Sequence, residues 1–170
     1  MNPTLIFLGR LSANKRPDHA IDAFRLVKKK IPNAVLWIVG SGPMEKKLRK
    51  NCPEDVYFLG KVSEIEKNRR LAASGALLCT SVREGWGMVV TEAASYGTIS
   101  ISYEVDGLKD SINHSGGILC EPDPSSLATA VCNYFTNQID ESILKKVSPL
   151  GVTSWNEVSL SILSRHGDLD

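Results

Sequence analysis

The sequence predicts an α/β domain with a six-stranded parallel sheet and helices on both faces. Three observations predict it. Short apolar runs such as Leu5-Ile6-Phe7-Leu8 and residues 34–39 (AVLWIV) lack polar alternation, the mark of strands buried on both sides. Segments with apolar residues at helical spacing separate these runs, which suits crossover connections between parallel strands. Glycine follows several runs directly, at Gly9, Gly40 and Gly60, where the chain must leave the sheet.

The elements follow in order. Leu5 to Leu8 is the first buried strand. Pro17 suits the first turn of a helix, in which Ala20, Ala23, Phe24, Val27 and Ile31 recur at helical spacing. Residues 34–39 form the second strand, ended by Gly40-Ser41-Gly42-Pro43, and a short charged helix follows over about 44–51. Residues 56–59 are the third strand, closed by Gly60. Ser63 and Glu66 have the spacing of a capping box for the next helix. Residues 76–79 are the fourth strand, 99–102 the fifth and 117–120 the sixth. After Pro122-Asp123-Pro124, the residues Leu127, Ala128, Val131 and Phe135 mark a helix. Two further short helices are expected near 141–147 and 154–164.

With 170 residues the chain is long enough for one domain with a full core, and 42% hydrophobic against 23% charged residues fits a globular protein. A formal net charge of +1 gives no electrostatic case for nucleic acid as a partner. The basic clusters at 28–30, 46–50 and 67–70 read as solvated helix faces with cations near C-termini. Cys52, Cys79, Cys120 and Cys132 form no C-x-x-C pair and have no metal-ligand spacing, so a reduced, cytoplasmic setting fits best. No signal peptide and no apolar run of membrane-spanning length is visible. His19, His114 and His166 are scattered, and no metal site or Ser-His-Asp arrangement is apparent.

In a parallel sheet, ligands bind outside the carboxyl ends of the strands. That rule selects the loops 9–15, 40–43, 60–62 and 82–87. The last of these carries the densest pattern. Glu84 stands beside Gly85 and Gly87, and Glu92 follows with seven residues between the two carboxylates. A helix starts near Gly87 or Met88, and its unpaired N–H groups make a ready anion site. Carboxylates are acceptors only, which suits the hydroxyls of a sugar rather than a phosphate. The plain alternative for Glu92 is a favourable charge near a helix N-terminus. In the first loop, Gly9 frees the backbone, Arg10 offers a planar fork for phosphate oxygens, and Lys15 adds a compact charge. The plain alternative there is surface cations, although cations are the less expected sign near a helix start.

The stretch Glu84 to Glu92 resembles the E-x7-E signature of the retaining, nucleotide-sugar-dependent glycosyltransferases of the GT-B type (family 4, or group 1). Gly9-Arg10-Leu11 with Lys15 resembles that family's diphosphate loop, and Gly40-Ser41-Gly42-Pro43 its G-x-G-P turn. Gly60-Lys61-Val62 resembles the element that meets the nucleobase, Asp106 to Ile112 the G-G-x-x-E/D-x-I segment, and Gly117 to Pro124 and Ser154-Trp155 its closing elements. The resemblance runs over roughly residues 4 to 163 in the right order. It departs at Ile99, where the family often has Pro, at Asp106, where it usually has Gly, and at Ser95-Tyr96, which replaces a smaller apolar pair.

The resemblance implies a Rossmann-like three-layer domain over residues 1–170, the C-terminal, donor-binding half of a two-domain enzyme. The N-terminal acceptor domain would be supplied in cis or in trans. The implied activity is transfer of a hexose, with retention, from a UDP, GDP or ADP sugar to a glycan or lipid-linked acceptor in polysaccharide biosynthesis. Arg10, Lys15 and Glu84 are the implied catalytic residues. Gly9, Arg10, Lys15, Gly40, Gly42, Lys61, Val62, Glu84, Gly85, Gly87, Met88, Val89 and Glu92 are the implied donor contacts. Arg10 and Lys15 would grip the diphosphate, Glu84 the donor sugar and Glu92 the ribose hydroxyls. No cofactor and no metal is expected, and no nucleic acid partner. The setting is cytoplasmic, with peripheral contact of the whole enzyme with the cytoplasmic face of a membrane as a further expectation. The alternatives are a catalytically silent nucleotide-sugar-binding module and a domain like those of UDP-sugar epimerases.

Overall fold

The computed structural model of the chain describes residues 3–136. In order, the elements are β1 (Thr4–Leu8), α1 (Pro17–Lys30), β2 (Val35–Val39), α2 (Glu45–Lys50), β3 (Val56–Gly60), α3 (Glu64–Ala73), β4 (Ala76–Cys79), α4 (Met88–Ser95), β5 (Ile99–Tyr103), α5 (Leu108–Ser115), β6 (Ile118–Cys120) and α6 (Pro124–Phe135). The helices expected near 141–147 and 154–164, and the Ser154-Trp155 element, lie outside the described residues.

The six strands form one parallel sheet in the order β3-β2-β1-β4-β5-β6. Strand residues alternate between two cores, as a period of two requires. Leu5 and Phe7 of β1 join α1, α2 and α6 in one core, through Phe24, Val27, Leu48, Leu127 and Val131. Ile6 joins α3, α4 and α5 in the other, through Leu71, Val90, Ala93, Leu108 and Ile112. Burial on both faces is why the strands read as continuous apolar runs. The result is the expected Rossmann-like three-layer domain.

The helix ends follow local chemistry. Ser63 caps α3 by accepting from the Glu66 N–H at 3.2 Å. The reciprocal half of the capping box is not made, because the Glu66 carboxylate takes Arg70 Nε at 2.6 Å instead. Asp123 caps α6 by accepting from the N–H groups of Ser125 and Ser126. One element differs from expectation. The sequence reading gives residues 108–115 no helix, and the structure folds them into α5, with Leu108, Ser111, Ile112 and Ser115 on its buried side. Two serines on that side hide the apolar period.

Candidate functional site

The chain order reverses between β1 and β4, so the loops that leave these two strands diverge above a crevice. The loops after β1, β2, β3 and β4 all open on this carboxyl-terminal edge. The selected segments 9–15, 40–43, 60–62 and 82–87 therefore gather there, as the sheet rule requires.

Two loops pack backbone to backbone. Leu11 N donates to Ser41 O at 3.0 Å, and Met44 N returns to Leu11 O at 3.1 Å. Glycine makes this approach feasible. Gly40 has φ +128, and a Cβ there would lie 1.9 Å from Gly9 O; a Cβ on Gly42 would lie 2.4 Å from Leu11 O. Beside this seam opens a cleft of about 520 Å³ lined by Gly9, Arg10, Gly40, Ser41, Gly42 and Lys61. Arg10 and Lys61 are exposed, no carboxylate lines the cleft, and neither cation has an ion-pair partner among the described residues. Two unneutralised cations over small, half-buried residues form an anion-accepting surface. Val62, half-buried, packs against the α3–α4–α5 core beside Lys61.

The loop after β4 is tied to the loop after β1. Val82 N donates to Asn14 O at 2.8 Å, and Asn14 Nδ2 donates to Arg83 O at 3.1 Å. The buried Thr80 hydroxyl lies 2.8 Å from the carbonyls of both Lys15 and Arg16. Across this seam Lys15 and Glu84 form an ion pair, with side chains 28% and 15% exposed. The expected phosphate lysine and sugar carboxylate thus meet each other, beside the cleft and outside its lining.

Gly85 and Gly87 carry the chain into α4. Gly87 is the N-cap, without a side-chain cap, so the amides of Met88 and Val89 open the helix with no intrahelical acceptor. Met88 is 71% exposed, and Trp86 at 44% donates its Nε1 to Thr91 Oγ1 at 3.3 Å. The loop from β5 to α5 buttresses this turn. Gly107 has φ +80, and a Cβ there would lie 2.1 Å from Glu84 O. Glu92, in the second turn of α4, accepts from Lys67 Nζ at 3.1 Å, and Lys67 also pairs with Glu64 at 2.5 Å.

The structure therefore brings Gly9, Arg10, Gly40, Gly42 and Lys61 into one cleft, pairs Lys15 with Glu84, and places Glu92 against α3. Asn14, Thr80, Lys67 and Gly107 support the site and are not singled out for it by the sequence. The side-chain hydrogen bonds that tie Lys67 to Glu92, Thr80 to Lys15 and Asn14 to Arg83 span 25, 65 and 69 residues, so no local pattern reports them.

The cysteines have no part in this surface. Cys79 is buried, and burial first, then the Glu84 charge, pushes its thiol up to about 12. At neutral pH it is a small hydrophobe and not a nucleophile. Among the described residues, no cluster of three or more His, Cys, Asp or Glu side chains is arranged to hold a metal ion. No helix among them is long and apolar enough to cross a membrane.

Known proteins share this architecture. The chain is similar to the crystal structure of Anabaena HepE in complex with UDP and glucose, with a TM-score of 0.73, 20% identity, and coverage of 99% of this chain and 49% of that one. It is also similar to the catalytic domain of cholesterol-alpha-glucosyltransferase from Helicobacter pylori, with a TM-score of 0.71, 21% identity, and coverage of 97% and 99%. In sequence it is 30% identical over 129 residues to the GDP-mannose-dependent alpha-(1-6)-phosphatidylinositol dimannoside mannosyltransferase of Mycobacterium tuberculosis, covering 75% of this chain and 34% of that protein. The chain thus spans about a third of the length of that curated relative, and the same holds for the glycogen synthase of Mycobacterium tuberculosis, of which it covers 32%. The sequence model described as "Glycosyl transferases group 1" matches residues 1–148. Sheet order, loop placement and this match agree, and the chain belongs to the group 1 glycosyl transferases.

Proposed function

We propose that this chain is the donor-binding part of a retaining glycosyltransferase that moves a hexose from a nucleoside diphosphate sugar to a glycan or lipid-linked acceptor. The observation that carries this reading is the cleft lined by Arg10, Lys61 and the Gly40–Gly42 turn, with two cations and no carboxylate among the described residues. In this reading a diphosphate held by the cleft also engages Lys15 and the open amides of Met88 and Val89 at the start of α4. As the sugar–oxygen bond breaks, negative charge grows on the leaving diphosphate. Arg10, Lys15 and these amides stabilise that charge where it develops. Glu84 accepts from hydroxyls of the donor sugar, and Glu92 from those of the ribose. The acceptor comes from a partner domain, in cis or in trans, across the crevice, and the whole enzyme works at the cytoplasmic side of a membrane.

Thermal melts of the 170-residue chain with UDP, GDP and ADP, each with and without Mg²⁺, test the reading. A ligand at ten times its Kd adds about 1.4 kcal/mol, or roughly 3–6 °C for a domain of this size. The expected result is a shift with one diphosphate above the others and little dependence on Mg²⁺. No shift with any of the three overturns donor binding by this chain.

A further inference from the structure

Lys67 is not part of the cleft, yet it holds one of the two signature carboxylates. It lies one turn before Leu71 on α3, on the same side of that helix. Leu71 packs in the same core as Val90 and Ala93 of α4, so the two helices share one face of the sheet. The Lys67 side chain is 17% exposed, and its ammonium ends between Glu64 and Glu92. Burial alone would lower its pKa, but the two carboxylates together outweigh that and raise it above the ordinary lysine value. The lysine stays charged at every physiological pH.

The contact is specific to one oxygen. Lys67 Nζ donates to Glu92 Oε2 at 3.1 Å, and Oε1 accepts no hydrogen bond among the described residues. A glutamate on an exposed helix face samples several rotamers. Glu92, tied at one oxygen, has its orientation set before any ligand arrives, and its second oxygen remains open to a hydroxyl donor. Preorganisation of this kind raises affinity by removing an ordering cost.

We propose that Lys67 is a positioning residue for Glu92, fixing its carboxylate so that Oε1 accepts from a ribose hydroxyl of the donor nucleotide. The proposal rests on the donor-site reading above. It makes the ribose, rather than the diphosphate or the base, the part of the donor that Lys67 controls.

The test compares Kd values of each nucleoside diphosphate (UDP, GDP and ADP) with those of its 2′,3′-dideoxy counterpart, using the 170-residue chain. The expected wild-type preference for the ribose form is about tenfold, the worth of a hydrogen bond to a charged group. Lys67→Gln is expected to reduce that preference to about threefold or less, with the dideoxy Kd changed by under about twofold. Lys67→Arg is expected to restore most of it. Lys67→Met, which keeps the aliphatic stem, serves in place of Lys67→Gln if the latter melts below the working temperature. An unchanged ribose preference in a folded Lys67 variant overturns the positioning role and leaves donor binding intact. A wild-type chain that binds both forms equally overturns Glu92 as the ribose acceptor, and Lys67 with it. A wild-type chain that binds none of the diphosphates overturns the donor-site reading itself.

Discussion

Lys15 and Glu84 stand 69 residues apart in the chain and form an ion pair across the point where the strand order of the sheet reverses. Each neutralises the other in a poorly solvated seam. A diphosphate that claims Lys15 must compete with the Glu84 carboxylate. Glu84→Gln removes the competitor without changing the shape. It is expected to bind a free nucleoside diphosphate at least as tightly as the wild type, and the corresponding nucleotide sugar about tenfold more weakly. Calorimetric titration with both ligands checks this, and parallel losses for the two would refute the division of roles.

Arg10 carries no ion pair among the described residues and is exposed, so its removal costs the fold little. Arg10→Ala is expected to alter unfolding free energy by less than about 0.5 kcal/mol. It is expected to weaken diphosphate binding about tenfold or more while leaving nucleoside binding nearly unchanged. Equal losses for diphosphate and nucleoside would contradict the assignment.

Gly107→Ala probes the buttress of the signature loop. The position has φ +80, and the added Cβ would meet Glu84 O at 2.1 Å. Left-handed backbone costs an alanine roughly 1–2 kcal/mol, and forced displacement of packed neighbours about 1–3 kcal/mol more. Urea unfolding is expected to show a loss of about 2–5 kcal/mol, the sum of those two. A midpoint unchanged from wild type would show that the two loops do not pack as described.

Asp123 gives the fold an acid-sensitive helix cap. The Ser126 hydroxyl first, then the Ser126 and Ser125 amides, hold its carboxyl below the ordinary value. A depressed folded pKa means that the unfolded chain takes up the proton at higher pH than the folded one. The cap's contribution is therefore complete above the ordinary carboxylate range and is lost as pH falls through the folded value. Asp123→Asn, which still caps, is expected to flatten the decline of melting temperature in that acidic window. An identical acid limb in the variant would assign the decline to other carboxylates.

The strands are legible in the sequence because burial on both faces leaves an uninterrupted apolar run, as in β2 and β4. The loops of the site are legible because a parallel sheet presents ligands at one edge only, and each of those loops begins at a strand end. α5 is not, because Leu108 and Ile112 stand alone among polar residues and its buried serines erase the period. The second half of the box at Ser63 fails because Arg70, one turn on, attracts Glu66 more strongly than a backbone N–H does. The partners of Lys15 and Glu92 are also beyond reach. Either cation of the first loop could face the cleft, and only the packing of β4 beside β1 turns Lys15 toward Glu84.

The order in which the chain supplies these pieces has a kinetic consequence. Residues up to Lys61 furnish every side of the acid-free cleft, whereas Lys15 finds its carboxylate only after β4 has docked beside β1. That docking must close a loop of roughly 70 residues, and contacts between such distant segments form late. During refolding, weak anion capture at the early half is expected to precede the discrimination of sugar-bearing ligands. A stopped-flow experiment with fluorescent diphosphate and fluorescent nucleotide-sugar probes would resolve the two steps as separate phases, and a single shared phase would show that the site assembles all at once.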